Sequence, residues 1–193
     1  MPDCTHGYDP LAKVFAASRS KVVGVPEVQR WVEQLRAPAE VLDVGCGPGV
    51  PLTAALIEAS CRVWAVDASP QMVALFTARF PDVPVACEPV ESMTHFGRQF
   101  DGVLAWGLVF LLEPDQQRAA IARLADAVAP GGQLLFTAPA QACEWRDVLT
   151  GEESRSLGAP EYRRLLERHG LAPVHELDDS GENHYYVAAR SST

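Results

Sequence analysis

The segment around residues 40–50 constrains the fold of this chain more than any other. A predicted buried strand at 40–44 runs directly into the glycine-rich turn GCGPG at 45–49, and a predicted helix begins at Leu52. A glycine-rich turn between a parallel strand and a helix lets a ligand approach bare backbone beside the positive end of the helix. Open α/β sheets bind nucleotides at this position.

An acidic residue stands at the end of the next predicted strand, 62–66. Asp67 follows Gly45 by about 20 residues, the spacing at which an acid binds ribose hydroxyls in such folds. The dinucleotide pattern G-x-G-x-x-G requires a glycine at position 50, where this chain has Val50. The spacing therefore indicates a ribose-containing ligand but disfavours a nicotinamide dinucleotide.

The pattern further along the chain predicts an α/β fold. Predicted strands at 83–87, 101–106 and 133–137 alternate with helices, which indicates a Rossmann-like, mostly parallel sheet with helices on both faces. Two more strands are predicted at 171–177 and 184–190. The link between them is too short for a crossover, so we expect the last of the seven strands to be antiparallel.

The chain of 193 residues is predicted to be a single domain, residues 1–193. Residues 1–36 precede the first strand and are predicted to form two helices. Residues 138–158 are predicted to be an irregular connection that leaves the carboxyl end of a strand, where long connections are often functional. We expect both segments to act as lids over the site.

Composition excludes several classes of function. The net charge of −9 makes the chain a poor electrostatic match for nucleic acid or anionic lipid. We see no signal peptide and no apolar run long enough to span a membrane. The five cysteines are odd in number and form no C-x-x-C pair, so neither a disulfide framework nor a metal site is expected. A cytoplasmic location is predicted, and the oligomeric state is left open.

Four segments resemble the class I S-adenosylmethionine (SAM) dependent methyltransferases, of the small-molecule, type 11/12-like kind. They are the glycine turn, DASPQM at 67–72, FDGVL at 100–104, and the helix, Pro-Gly-Gly turn and strand at 124–135. The segments occur in the family's order and spacing and cover roughly residues 40–138. The resemblance implies SAM as cofactor and the strand order 3-2-1-4-5-7-6.

The resemblance also implies which residues contact SAM. The glycine turn and Asp43 would meet the amino acid end, Asp67 the ribose, and Ala68 with Met72 the adenine faces. In the family, an acidic residue often binds the exocyclic amine of adenine, and that position aligns here with Pro89. We therefore expect Glu88, Glu91 or a backbone carbonyl to accept the hydrogen bond from this amine. The implied cofactor-binding residues are Asp43, Gly45, Cys46, Gly47, Asp67, Ala68, Met72, Val90, Glu91 and Ala105.

The acceptor pocket is expected above the carboxyl ends of the strands at 101–106 and 133–137. Either Arg19 or Arg146 is a candidate to meet a carboxylate, on the acceptor or on SAM. Aromatic side chains are expected to line the pocket and to suit a small organic molecule. The predicted lining residues are Tyr8, Phe15, Trp106, Phe110 and Trp145.

The predicted function is SAM-dependent methyl transfer to a small-molecule substrate. Such a displacement needs alignment in a dry site, and a base only if the acceptor must lose a proton early. No catalytic residue is therefore assigned, and the candidates for a base are Tyr8, His95, His184 and Tyr185. Two alternatives remain: a catalytically silent SAM-binding protein or partner subunit, and an NAD(P)-dependent oxidoreductase, for which the chain lacks a Tyr-x-x-x-Lys pair.

Overall fold

The computed structural model describes residues 4–192. Its helices are α1 (Ala12–Ser18), α2 (Val25–Val32), α3 (Leu52–Glu58), α4 (Pro70–Arg79), α5 (Pro114–Asp126) and α6 (Ala159–Arg168). Its strands are β1 (Glu40–Val44), β2 (Arg62–Asp67), β3 (Val85–Cys87), β4 (Phe100–Ala105), β5 (Val128–Thr137), β6 (Cys143–Arg146), β7 (Glu153–Ser156), β8 (Leu171–Asp178) and β9 (His184–Arg190). Within the described part of the chain, no helix is both long and apolar enough to cross a membrane.

Seven strands form one sheet in the order β3-β2-β1-β4-β5-β9-β8. The first five are parallel, and β9 is antiparallel to both of its neighbours. Because β8 and β9 correspond to the sixth and seventh predicted strands, the predicted order 3-2-1-4-5-7-6 is confirmed. The carboxyl ends of β1, β2 and β4 consequently meet at one edge of the sheet.

The sheet has a hydrophobic core on each face. Alternate residues of a strand point to opposite faces, and β1 shows this directly. Leu42 belongs to the core that includes α5 and α6, whereas its neighbour Val41 belongs to the core that includes α2 and α3. Gly102 lets α2 approach closely, because a Cβ there would lie 2.8 Å from the Trp31 ring. The predicted cover of helices on both faces is thus confirmed.

Two predictions about the chain after α5 were wrong. β5 begins at Val128, not at 133, because Pro130 to Gly132 form an irregularity within the strand and not a turn before it. The segment 138–158 is not irregular, since β6 and β7 pair within it as an antiparallel hairpin. β3 is also shorter than predicted and begins at Val85.

The helix after β2 begins as its sequence predicts. Ser69 is the N-cap of α4, and its hydroxyl accepts a hydrogen bond from the backbone N–H of Met72 at 3.0 Å. Pro70 occupies the first helical position, where no N–H is needed. This start of α4 lies directly after Asp67 and so belongs to the edge of the sheet where the site is expected.

Candidate active site

A large cleft opens at the carboxyl ends of β1, β2 and β4. Its wall contains the end of β1 and the glycine turn, the end of β2, and residues 106–108 after β4. The cleft holds about 1170 Å³ of space outside protein atoms, its open mouth included. This is the crevice in which open α/β sheets bind ligands.

The glycine turn after β1 closes back on β2. The backbone N–H groups of Gly45 and Cys46 both donate to the carbonyl oxygen of Val66, at 2.8 and 3.1 Å. Gly45 has φ +73°, in the region that favours glycine. A Cβ at Gly49 would lie 2.4 Å from the Phe80 ring. The turn brings backbone to the cleft, but its first N–H groups are used within the protein, so a ligand anion there needs another donor.

Asp67, at the end of β2, joins the glycine turn to the start of α4. One carboxylate oxygen accepts the N–H of Gly47 at 2.8 Å, and the other accepts the N–H of Ser69 at 2.9 Å. Burial raises the pKa of Asp67 above its ordinary value, although the two N–H groups oppose this shift. Asp67 lines the cleft, and each oxygen retains a lone pair. It can therefore accept two hydroxyl groups, the number that a ribose diol donates.

Asp43 forms part of the floor of the cleft and is 3% exposed. Its Oδ2 accepts a hydrogen bond of 2.6 Å from the hydroxyl of Thr53, which is buried in the first turn of α3. Burial raises the pKa of Asp43 to about 6, while the Thr53 hydroxyl and the charge of Arg19 oppose the shift. Asp43 is therefore an acid that can hold a cationic group and that titrates near neutral pH.

The other end of the cleft combines apolar side chains with two glutamates. Ala68, Met72 and Val90 line this end, and the last two are buried. Both carboxylate oxygens of Glu88 are engaged by Thr94, whose N–H donates at 2.7 Å.

Glu91 also lines the cleft, and its Oε1 accepts a hydrogen bond of 2.7 Å from the side-chain amide of Gln116. Gln116 also caps the N-terminus of α5, because its amide oxygen accepts the backbone N–H of Glu113. The second carboxylate oxygen of Glu91 is left for a ligand. Of the two glutamates, Glu91 is thus the better placed to meet an adenine amine.

Most residues predicted to line the pocket for the methyl acceptor lie in the cleft wall, but one lies behind it. Tyr8, Trp106 and Phe110 line the cleft. The Trp145 ring lies outside the wall and packs on Phe110, with 5.4 Å between ring centroids. Ala105, predicted to contact the cofactor, is fully buried in β4 and is not part of the wall either.

Arg19 is the cation that the structure places in the cleft. It follows α1 directly, and its guanidinium lies 4.5 Å from the Trp106 ring centroid and 5.0 Å from that of Phe15. Within residues 4–192, no hydrogen bond or ion pair joins this guanidinium to the protein. Burial lowers the pKa of Arg19. Arg146, the other candidate, lies outside the wall and donates to the carbonyl of Gly151 in the β6–β7 turn.

Among the four candidate bases, Tyr8 alone lines the cleft. Its hydroxyl donates to Asp147 at 3.0 Å, and burial together with this carboxylate raises the pKa of Tyr8. A tyrosine with a raised pKa is a poor base at neutral pH. His184 bonds to two carboxylates on β8, Tyr185 bonds to Trp106, and His95 lies in the segment after β3.

Among the residues of the cleft wall that were not expected from the sequence, two polar ones come from turns late in the chain. Asp147 comes from the turn between β6 and β7, and Asn183 comes from the link between β8 and β9. Each stands in a local turn pattern, DVLTG at 147–151 and DSGEN at 179–183. Those patterns predict turns, but not which sheet edge the turns approach.

Comparison with known proteins agrees with this geometry. A family model described as a methyltransferase domain matches residues 41–132. Over these residues the chain is similar to the class I SAM-dependent methyltransferase family. No curated protein matches the chain.

Solved structures share the fold of this chain at low sequence identity. The CcbJ methyltransferase of Streptomyces caelestis matches with a TM-score of 0.78 and 17% identity, over 98% of each chain. The 1,6-didemethyltoxoflavin-N1-methyltransferase of Burkholderia thailandensis matches with a TM-score of 0.73 and 21% identity, over 95% of this chain and 84% of that one. An amino pentose methyltransferase of Micromonospora echinaspora matches with a TM-score of 0.71 and 19% identity, over 94% and 96%.

The donors and acceptors of the cleft fit the cofactor of this family. SAM carries an ammonium, a carboxylate, a ribose diol and an adenine, and the cleft offers a matching group for each. Asp43 can accept from the ammonium, Arg19 can bind the carboxylate, and Asp67 has two lone pairs for the diol. Met72 and Val90 provide an apolar wall for the adenine.

Proposed function

We propose that this methyltransferase transfers the methyl group of SAM to a small-molecule acceptor. The observation that carries the proposal is the geometry of Asp67, whose carboxylate bridges the glycine turn and the start of α4. Two unused lone pairs at this point of the cleft match a ribose diol. When bound, SAM supplies an electrophilic methyl group on a sulfonium, and the chain's task is to align the acceptor with it in a dry site.

Arg19 supports the placement of the amino acid end of SAM. The first N–H groups of the glycine turn are used by Val66, so they cannot bind a carboxylate. Arg19 lies over Trp106 with its donors unused by residues 4–192. We infer that Arg19 binds the carboxylate while Asp43 binds the ammonium beside it.

The acceptor would occupy a second chamber that adjoins the cleft, together with the neighbouring part of the cleft. Tyr8, Phe15, Arg19 and Trp106 line both spaces. Val23 and Leu149 add apolar surface to this second chamber. Its three aromatic side chains suit a small organic molecule. The structural neighbours named for didemethyltoxoflavin and an amino pentose also act on small molecules.

Isothermal titration with SAM, S-adenosylhomocysteine (SAH) and NAD tests the cofactor assignment. We expect SAM and SAH to bind and NAD not to bind. Asp67→Asn should weaken SAH binding by about tenfold or more, since it removes a charged acceptor, whereas the exposed Asp82→Asn should leave binding unchanged. Release of SAH in the presence of an acceptor panel then tests turnover. Binding of NAD in place of SAM would overturn the proposal.

A further inference from the structure

The link between β8 and β9 is organised around one carboxylate. Asp179 Oδ1 accepts the backbone N–H groups of Gly181 and Asn183, at 2.8 and 2.9 Å, and the Tyr185 hydroxyl donates to Oδ2 at 2.7 Å. Burial acts to raise the pKa of Asp179, but these hydrogen bonds lower it below its ordinary value. Asp179 therefore stays ionised and fixes the conformation of the link.

Asp179 also fixes the orientation of the Asn183 side chain. The amide nitrogen of Asn183 donates to both oxygens of Asp179, at 3.0 and 2.9 Å. The reverse orientation would place the amide oxygen against a carboxylate, and no hydrogen bond could form because both groups are acceptors. The amide oxygen is consequently turned away from Asp179. Asn183 is half-buried and lines the cleft.

The same carboxylate is also connected to the wall of the acceptor chamber through a chain of two hydrogen bonds. The indole N–H of Trp106 donates to the Tyr185 hydroxyl at 2.8 Å, and this hydroxyl donates in turn to Asp179. Gly181, in the same link, lines the second chamber. Thus Asp179 positions both a polar group in the cleft wall and an aromatic ring that the two spaces share.

We propose that Asn183 recognises the methyl acceptor, its Oδ1 accepting a hydrogen bond from an O–H or N–H group on a planar aromatic molecule. An amide oxygen is an acceptor only, so its partner must be a donor. The rings of Tyr8, Phe15 and Trp106 in the shared wall favour a planar aromatic frame. Asp179 is then a positioning residue. This inference rests on the proposed function, because it concerns the acceptor of the same reaction.

A pair of probes that differ in one donor tests the proposal. 2-Naphthol and 2-methoxynaphthalene are titrated into protein saturated with SAH. We expect the wild type to bind 2-naphthol at least fivefold more tightly, and Asn183→Ala to bind the two probes equally. Asp179→Asn should also reduce the preference, since it frees the Asn183 amide to turn. SAH affinity should stay unchanged in Asn183→Ala.

Two further variants make the result decisive. Gln99→Ala truncates an amide that bonds to Asp126 outside the cleft, and it should keep the wild-type preference. Asn183→Ser, which retains a donor for Asp179 but lacks the amide oxygen, replaces Asn183→Ala if the latter does not fold. Equal binding of the probes by the wild type, or a preference that survives in both Asn183 variants, would overturn the role of Asn183. Failure of the wild type to bind SAH would instead count against the proposed function.

Discussion

The indole N–H of Trp106 donates a hydrogen bond of 2.8 Å to the hydroxyl of Tyr185. Trp106 lines the cleft, whereas Tyr185 is not part of its wall. Trp106 follows β4, whereas Tyr185 lies on β9, on the far side of β5. The bond therefore spans β5, the strand between them, and connects the cleft wall to the β8–β9 hairpin. Arg19 lies over the ring that this bond holds.

Tyr185→Phe should destabilise the protein by about 1–3 kcal/mol, because it leaves the buried end of the Trp106 indole without an acceptor and removes a donor from Asp179. Urea unfolding measures this loss. Tyr186→Phe is the matched control, since Tyr186 is equally buried but its hydroxyl makes only a 3.4 Å bond to the carbonyl of Pro139. An equal loss in the two variants would show that the bond to Trp106 contributes no more to the free energy of unfolding than the Tyr186 hydroxyl does.

Arg19→Gln should weaken SAH binding by roughly 10- to 100-fold, the loss expected for charged hydrogen bonds worth about 1.5–3 kcal/mol. The effect should be smaller for 5′-methylthioadenosine, which lacks the carboxylate. Isothermal titration measures both affinities. Arg146→Gln serves as control, because Arg146 lies outside the cleft wall. If Arg19→Gln bound SAH as tightly as the wild type, the carboxylate would have to bind elsewhere.

Asp43 should give the stability of the protein a pH dependence. Its pKa in the fold is about 6, above the ordinary value near 3.9, so the native state binds its proton more tightly than the unfolded state. The stability that this proton supplies is present below pH 4 and is lost as pH rises through 6, a difference of about 3 kcal/mol.

Asp43→Asn should remove this pH dependence, because the asparagine oxygen still accepts from Thr53 but does not titrate. Urea unfolding at several values between pH 4 and 7 compares the two proteins. Wild-type stability should decline relative to the variant over this range. SAH binding to the wild type should weaken by about tenfold per pH unit below 6, since the ammonium needs the ionised form. Parallel stability curves for both proteins would contradict the raised pKa.

The sheet was predictable because its signals are local. The glycine turn, the capping pair Ser69 and Pro70, and the short link after β8 each fix one connection, whereas the strand order was implied by the resemblance to the methyltransferase family. The β6–β7 hairpin was not predictable, because ESRS contains no apolar residue and the alternation in CEWR covers only four residues. The start of β5 was misplaced because Pro130 to Gly132 have the composition of a turn although they lie within the strand.

The sequence predicted the residues on the cofactor side of the cleft better than those on the acceptor side. Asp43 and Asp67 lie at strand ends next to the glycine turn, so local spacing places them. Asn183 and Asp147 reach the cleft only because β9 pairs with β5 and because the β6–β7 hairpin packs near Tyr8. Such long-range placement leaves no signal in the neighbouring sequence.

The N-terminal segment is bound to both sides of the cleft, which supports its predicted role as a lid. The Tyr8 hydroxyl donates to Asp147 in the β6–β7 turn, and the adjacent Asp9 accepts the hydroxyl of Ser69 at 2.6 Å and the N–H of Gln71 at 3.0 Å. Removing these bonds should let the segment open more often without disturbing the sheet.

We expect the double variant Tyr8→Phe, Asp9→Ala to release SAH about tenfold faster than the wild type, since it loses hydrogen bonds to charged groups on both sides of the cleft. Stopped-flow displacement of SAH measures the rate. Ser18→Ala is the control, because the Ser18 hydroxyl bonds only within the N-terminal helix, to the carbonyls of Val14 and Phe15. Unchanged release from the double variant would mean that the segment does not retain the ligand.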